Sequence, residues 1–325
     1  MTAPEWQGPV GVVGLGLIGG SLGLDLQARG LTVQALVHRE ATAERARQRG
    51  LASAVSTDPA VLAGCGLVVL ALPLDQLLEP PPELLAALPP AAVITDVGSV
   101  KGPVLERWRG LHPRFVASHP MAGTAQAGVE AGVAGLFAGR PWVATPEPAT
   151  DPAALEAVRA LAESVGARWL SCAAAEHDQA VALISHLPVL VGAALLQAAD
   201  RASADCASAR GSEAGELACL VRALASSGFA DTTRVGGGNP ELGSLMARCN
   251  QEALLVGLTS YRQQLEALER LVRQGDWEGL RRELEGCAQL RPGFLGPAGG
   301  GDAASASDAQ GLATAFQQLP AGHQR

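Results

Sequence analysis

The sequence predicts an α/β domain with a doubly wound, mostly parallel sheet, followed by an all-helical domain. Strand and helix patterns alternate from Gly8 to about Cys172, which is typical of βαβ units and therefore of parallel strands. From Ala173 to about Gln289 the strand patterns stop and the sequence is helical almost throughout. These two observations place a change of architecture near residue 172.

The elements of the α/β part follow one another in order. Strands are predicted at Pro9–Val13, Thr32–Val37, Leu67–Leu72, Ala92–Asp96, Arg114–Ser118, Trp142–Thr145 and Arg168–Ser171. Helices are predicted at Leu17–Arg29, Ala41–Arg49, Asp75–Leu88, Val104–Arg109 and Pro152–Ser164. The start of the last helix is well marked, because Asp151 is a good N-cap and proline is favoured at the first helical position.

The helical part opens with a long apolar stretch. Residues 178–199 are apolar on nearly every face, and Pro188 is expected to bend the helix. A helix of this kind must be covered by protein, so we predict that a second copy covers it in a homodimer. Coverage by helices of the same chain is the alternative. The predicted segments are an α/β domain at 1–172, a helical substrate and dimerisation domain at 173–290, and a disordered tail at 291–325.

Composition excludes several classes of protein. A chain of 325 residues is long enough for two domains, and its formal net charge of −8 argues against nucleic acid or an anionic membrane as a partner. The six cysteines form no CxxC pair and no metal-ligand spacing, so we predict reduced thiols and no metal site. Because the first predicted strand begins at Pro9, we expect no signal peptide. We expect an acidic, cytoplasmic enzyme.

A glycine-rich turn directly follows the first predicted strand. Gly14, Gly16 and Gly19 form the pattern GxGxxG, and Leu17 and Ile18 open the helix after it. In this setting the first glycine permits a tight turn, the second lets a pyrophosphate approach the backbone, and the third lets helix and strand pack closely. The free N–H groups of the helix N-terminus also attract phosphate. The sequence therefore predicts a Rossmann-type dinucleotide-binding domain.

The end of the second predicted strand indicates which dinucleotide is bound. NAD sites usually carry an acidic residue there, whereas this sequence has His38 and Arg39, and its nearest acid, Glu40, comes later. A guanidinium can bind a 2′-phosphate through a fork of N–H bonds, whereas a carboxylate would repel it. We predict NADP, with Arg39, His38 and Thr42 at the phosphate. A solvated Arg39 at a helix start is the alternative.

Candidate catalytic residues follow two of the predicted strands. His119 comes directly after Arg114–Ser118, and Ser99 and Lys101 come shortly after Ala92–Asp96. Ligands of doubly wound sheets bind at the carboxyl ends of the strands, so these residues are expected to share one crevice. A neutral imidazole near pH 7 can accept a proton there. The alternatives are that His119 only satisfies its own loop and that Ser99 only caps a helix.

Five motifs, in their order along the chain, resemble those of the prephenate/arogenate dehydrogenase family of tyrosine biosynthesis. The motifs are GLGLIGG, DVGSVK, SHPMAGT, HDQAVALISHLP and DTTRVGGGNPELG, and the resemblance covers about Gly8 to Leu284. It implies oxidative decarboxylation of a cyclohexadienol to an aromatic product, CO2 and reduced nicotinamide. The forms SHPMAGT and GGGNPELG are similar to those of cyanobacterial and plant-like arogenate dehydrogenases that use NADP.

The resemblance also implies roles for individual residues. His119 matches the family's catalytic histidine, which takes the proton of the ring hydroxyl, and Ser99 matches the serine that aligns it. Arg234 matches the arginine that binds a substrate carboxylate, and Thr124 matches a position that lines the side-chain pocket. Lys101 is expected to contact substrate or cofactor.

Two departures from the family's pattern favour L-arogenate over prephenate. Val189 stands where many prephenate-using members carry a second histidine, and Ala230 stands where a basic residue usually precedes Asp231. Both changes remove a group expected to bind the pyruvyl side chain of prephenate. The predicted function is NADP-dependent conversion of L-arogenate to L-tyrosine, with prephenate as the alternative substrate.

Two more distant alternatives remain. A β-hydroxyacid dehydrogenase or an imine reductase would share the architecture, but the lysine-dependent type is disfavoured because residues 173–290 contain no lysine. A non-catalytic NADP-sensing protein would explain the glycines and Arg39 but would leave His119, Ser99 and Arg234 without a purpose.

Overall fold

The computed structural model describes residues 6–124, 126–209 and 214–295, without the side chains of 202–218 and 295. The chain divides into two compact units, residues 1–260 and 261–325. The candidate site residues all belong to the first unit.

A six-stranded parallel sheet lies at the centre of the first unit. Its strands are β1 (Val10–Val13), β2 (Val33–Leu36), β3 (Ala54–Ser56), β4 (Leu67–Leu70), β5 (Val93–Asp96) and β6 (Phe115–Val116). Their order across the sheet is β3-β2-β1-β4-β5-β6, and every neighbouring pair is parallel. The strand order reverses between β1 and β4, and doubly wound sheets bind their ligands at such a switch point.

Helices cover both faces of this sheet. They are α1 (Leu17–Gln27), α2 (Glu40–Gln48), α3 (Leu74–Leu78), α4 (Pro82–Ala87), α5 (Gly102–Trp108) and α6 (Pro152–Ser164). In β4, Leu67 and Val69 belong to the apolar cluster that includes α1 and α6, whereas Val68 and Leu70 belong to the cluster that includes α3 and α5. This alternation on a strand buried on both faces confirms the predicted doubly wound fold.

Two local predictions differ from the structure. The strand β3 was not predicted, because three residues at the edge of a sheet are too short to show a strand pattern. The single helix predicted at Asp75–Leu88 is instead the pair α3 and α4. The prolines at 80–82 explain the break, since each lacks a backbone N–H and disfavours helical backbone in the residue before it.

A second, three-stranded sheet changes the setting of His119. It consists of β7 (Ser118–Pro120), β8 (Pro141–Ala144) and β9 (Arg168–Ser171), with β7 antiparallel to β8 and β8 parallel to β9. The parallel strand predicted at Arg114–Ser118 therefore ends early, and His119 lies within β7 rather than in a loop. Ser118 ties the start of β7 to the end of β5: its N–H donates to Asp96 Oδ1 at 3.1 Å and its hydroxyl to the Asp96 carbonyl at 2.9 Å.

The remainder of the described first unit is helical, as predicted. Its helices are α7 (Ala174–Val181), α8 (Leu187–Ala209), α9 (Ala214–Leu224), α10 (Ser227–Thr233), α11 (Pro240–Cys249) and the first part of α12 (Gln251–Gln274). A π-helical turn, Ala182–His186, joins α7 to α8 directly before Pro188. Such a widened turn is one recognised way for a helix to absorb a local distortion, so the expected irregularity takes this form.

The second unit contains the rest of α12 and the helix α13 (Trp277–Leu295). Gly275, with a φ of +66°, makes the turn between them, and Asp276 accepts a hydrogen bond from the Gly279 N–H at 2.8 Å. The helix α13 continues to Leu295, past the predicted end of the helical region at residue 290. Residues 296–325, most of the predicted tail, lie outside the described residues.

Candidate active site

The glycine turn between β1 and α1 leaves room for a ligand at one position. Gly14 has a φ of +92°, and a Cβ there would lie 2.4 Å from the Ala71 carbonyl oxygen. A Cβ on Gly19 would lie 1.9 Å from the Gly14 carbonyl oxygen, so the fold itself requires both glycines. A Cβ on Gly16 would meet no protein atom within 4 Å. This open space lies at a helix N-terminus that no side chain caps, and a bound pyrophosphate fits such a position.

The residues predicted to bind the 2′-phosphate lie together at the end of β2. Arg39 is exposed at the N-cap of α2, and its guanidinium has no hydrogen bond or ion pair within the described part of the chain. The carboxylate of Glu40 is bound to Arg47 at 2.8 Å and accepts from the Thr57 hydroxyl at 3.4 Å. Since the nearby acid already has partners, the positive charge of Arg39 is available to an anion.

His119 belongs to a line of three hydrogen-bonded side chains. Its Nδ1 lies 3.0 Å from Nε2 of His177 in α7, and the two rings meet edge to face. Nδ1 of His177 lies 2.8 Å from Oδ1 of Asp178. The Asp178 carboxylate also accepts from the backbone N–H groups of Lys101 at 2.7 Å and Gly102 at 2.8 Å, at the start of α5. The first helix of the helical part is thereby tied to the end of the parallel sheet, with His119 between them.

Lys101, the only lysine of the sequence, holds β5 and β7 together. Its fully buried ammonium pairs with the Asp96 carboxylate and donates to the Ser118 carbonyl at 2.7 Å. Burial lowers the pKa of Lys101, and the charges of Asp96 and Asp178 oppose that shift. The ammonium therefore supports the strand that carries His119, and its predicted contact with substrate or cofactor stays a prediction.

The surroundings of His119 favour a neutral imidazole. Burial is the main cause that lowers the pKa of His119 well below its usual range, and the charges of His177, Lys101 and His186 lower it further. Burial also lowers the pKa of His186 to about 4. His119 is therefore uncharged at pH 7, in the state that can accept a proton.

Two buried polar atoms of the predicted site segments have no hydrogen-bond partner among the described residues. They are the Ser99 hydroxyl oxygen and Nε2 of His186, two of five such atoms. A buried polar atom left unpaired costs about 1–3 kcal/mol, so it is rare unless a ligand or water supplies the partner. The free Ser99 hydroxyl fits its predicted role beside the reacting groups.

Two predicted site residues, Arg234 and Thr124, have no hydrogen-bond connection to the network around His119 among the described residues. Arg234 is exposed at the end of α10, and Thr124 is exposed with its hydroxyl accepting from the Gln126 N–H at 3.2 Å. No hydrogen bond among the described residues connects either side chain to His119, and their substrate contacts stay predictions. The described residues also contain no group of His, Cys, Asp and Glu side chains that could hold a metal ion.

Three residues of the network were not assigned a role from sequence. They are His177, Asp178 and Asn250. The Asn250 side-chain amide donates to the Asp178 carbonyl at 2.7 Å and lies 3.2 Å from Nδ1 of His186. A His-Asp pair at the start of an apolar helical region was the available signal for the first two. Nothing in the sequence around Asn250 marks it, because its partners lie more than sixty positions away.

The glycine turn, the switch point and the buried neutral histidine together define a nicotinamide-dinucleotide-dependent dehydrogenase. Two family models match the chain: residues 22–171 match the nucleotide-binding domain of prephenate dehydrogenase, and residues 173–286 match its dimerization domain. The chain belongs to the prephenate dehydrogenase family, which confirms the resemblance found in the motifs.

Individual relatives support this assignment. A cyclohexadienyl dehydrogenase of Zymomonas mobilis is 30% identical over 287 residues, which cover 87% of this chain and 94% of that protein. The crystal structure of Synechocystis arogenate dehydrogenase is 40% identical, with a TM-score of 0.69 over 88% of this chain and 100% of that one. Prephenate dehydrogenase from Aquifex aeolicus, in complex with hydroxyphenyl propionate and NAD+, is 26% identical, with a TM-score of 0.76 over 89% and 98% of the two chains.

Proposed function

We propose that this protein is an NADP-dependent arogenate dehydrogenase that converts L-arogenate to L-tyrosine. The observation that carries the proposal is His119, a buried and neutral imidazole on β7 beside the carboxyl end of β5. Prephenate, which would yield 4-hydroxyphenylpyruvate, is the alternative substrate of the same site.

The chemistry requires a base at the ring hydroxyl. A bound nicotinamide dinucleotide would supply the acceptor for a hydride from the ring carbon that carries this hydroxyl. His119 takes the hydroxyl proton, and the neutral state imposed by its burial is the state that can do so. The unpaired hydroxyl of Ser99 orients the substrate hydroxyl toward His119. Loss of CO2 makes the ring aromatic, so the site needs no separate group to stabilise a carbanion.

The choice of NADP depends on the charges at the end of β2. Arg39 has no partner within the described residues, whereas Glu40 is paired with Arg47. The acid that usually binds the ribose 2′-hydroxyl in NAD sites is absent from the end of β2, where this chain has His38 and Arg39. A free guanidinium next to the uncapped start of α2 favours a 2′-phosphate.

Replacing Arg39 with Ala should raise the KM for NADP by about 10- to 100-fold, the effect expected from losing charge-assisted hydrogen bonds worth about 1.5–3 kcal/mol. The KM for NAD should change little, because NAD has no 2′-phosphate. Steady-state kinetics with both cofactors measures the ratio. Arg45→Ala is the matched control, since Arg45 lies on α2 but pairs with Glu130. If the ratio of the KM for NADP to the KM for NAD were unchanged in the Arg39 variant, the assignment of Arg39 to the 2′-phosphate would be contradicted.

The choice of L-arogenate depends on what the side-chain pocket lacks. Val189 supplies no hydrogen bond where many relatives have a histidine, and Ala230 supplies no positive charge. Arg234 remains the predicted partner of a substrate carboxylate.

Formation of reduced cofactor with each substrate and each dinucleotide tests the whole proposal. L-arogenate with NADP should give the highest kcat/KM of the four combinations. A higher value with prephenate would establish the alternative substrate, and no turnover with either substrate would refute the assignment as an enzyme of this pathway.

The proposal includes a homodimer formed through the helical part. The run Ala174–Arg201 is the one helical stretch in the described residues long and apolar enough to cross a membrane by composition, and only 28% of its apolar window is buried. Its apolar side chains include Ile184, 56% exposed, and Leu195, 37% exposed. Among the described residues, the helices of the first unit therefore leave much of this surface uncovered. A second copy of the chain would cover this surface. The cytoplasmic location of the protein stays a prediction.

The double variant Ile184→Glu/Leu195→Glu should be a monomer, because two carboxylates cannot be buried unpaired at such an interface. Light scattering after size-exclusion chromatography at micromolar concentration measures the mass. Val133→Glu is the control: Val133 is 47% exposed but lies outside the helical part, and this variant should remain a dimer. A monomeric wild-type protein would contradict the proposed assembly.

A further inference from the structure

The hydrogen bonds around His119 determine which of its ring nitrogens carries hydrogen. At neutral pH the Asp178 carboxylate can only accept, and both of its oxygens already accept backbone N–H groups at the start of α5. Nδ1 of His177, 2.8 Å from Asp178 Oδ1, must therefore carry a hydrogen and donate it.

The same reasoning extends to the next ring. In its neutral form His177 has one N–H, which it donates to Asp178, so its Nε2 presents a lone pair toward Nδ1 of His119 at 3.0 Å. Nδ1 of His119 then carries the hydrogen and donates it to His177. Nε2 of His119 is left as the free base.

We propose that His177, oriented by Asp178, is a positioning residue that sets the tautomer of His119 and receives the proton that catalysis displaces from it. When Nε2 of His119 takes the substrate's hydroxyl proton, a new N–H bond forms there. The N–H bond at Nδ1 breaks, and its proton passes to Nε2 of His177. His119 is neutral again, and the single positive charge rests on His177 next to the Asp178 carboxylate.

The electrostatics explain why such a transfer is useful. His119 holds a proton poorly, because burial is the main cause that lowers its pKa and the charge of the Lys101 ammonium lowers it further. No carboxylate is bonded to His119 among the described residues, since Asp96 is bound to Lys101 and Asp178 is bound to His177. Moving the charge one ring further places it in contact with a carboxylate, where it is stabilised.

Nitrogen-15 NMR of histidine-labelled protein tests the hydrogen positions without any substrate. The His119 signal, assigned by its loss in His119→Asn, should show a protonated Nδ1 and an unprotonated Nε2. The opposite tautomer would overturn the proposal. That the proton comes from a substrate hydroxyl rests on the proposed function, whereas the tautomer of His119 is measured without substrate. The tautomer assignment and the proposed function can therefore fail separately.

Two substitutions at His177 separate its two roles. Gln can still accept the hydrogen bond from His119 but cannot take the proton, whereas Leu can do neither. We expect His177→Gln to keep the tautomer and to lower kcat about 10- to 100-fold, with KM within about threefold, because the proton has no onward path. His177→Leu should lower kcat at least as much and give a mixture of His119 tautomers.

His112→Gln is the matched control. His112 is also buried in the first unit, but its Nε2 contacts the Pro89 carbonyl, outside this network. It should leave both kcat and the His119 signal unchanged. A His177→Leu variant that keeps normal kcat and a single His119 tautomer would overturn the proposal.

Discussion

Replacing His119 with Asn is expected to lower kcat by about 10²- to 10⁴-fold, the usual contribution of a positioned general base. Asn is similar in size and can still bond His177, but it cannot take a proton at neutral pH. The KM for NADP should stay unchanged, because the cofactor residues lie at other strand ends of the sheet. Steady-state kinetics measures both constants, and circular dichroism checks that the variant is folded. Near-normal turnover in this variant would show that His119 is not the general base.

The pH dependence of the wild-type enzyme gives an independent check of the same residue. Burial lowers the pKa of His119, so the neutral form persists as the pH falls below 6.5. Protonation of His119 should therefore cause no decline in kcat/KM between pH 7.5 and 6.5. The acid limb of the pH profile that is due to His119 should lie below pH 6.5. An acid limb above pH 6.5 that disappears in the Asn variant would contradict the low pKa.

Replacing Lys101 with Met is expected to destabilise the protein by about 3–5 kcal/mol, because it leaves the buried Asp96 carboxylate without its cation. The Ser118 carbonyl loses a donor at the same time. Lys101→Arg should restore little of this stability, because a larger planar guanidinium must enter a position with no exposed surface. Urea denaturation followed by circular dichroism measures the free energy of unfolding.

Arg159→Met serves as the control for this measurement. Arg159 pairs with Glu163 one turn along α6, but both side chains are about half exposed, so solvent screens the pair and its loss should change stability little. Equal effects of the two substitutions would show that the buried pair contributes no more than a surface pair.

Much of the cofactor half could be predicted because its signals are local. The apolar run of β4 marks a strand buried on both faces, and the glycines at 14, 16 and 19 form a recognisable spacing within a single strand–turn–helix unit. Strand β3 was not predicted, because three residues at the edge of a sheet carry little pattern. The break between α3 and α4 was missed although the prolines at 80–82 are a local signal for it. The position of His119 within a second sheet was also missed, since the strand that pairs with it lies more than twenty positions further along the chain, with His119 opposite Val143.

The sequence alone determined the architecture, the dinucleotide turn, the family and the candidate base, because these depend on residue types at short, regular spacings. The tertiary structure alone decided how that base is held. His119 and His177 are 58 positions apart, and Lys101 and Asp178 are 77 apart. No local periodicity records such contacts, since they arise only when the helical part packs against the end of the sheet.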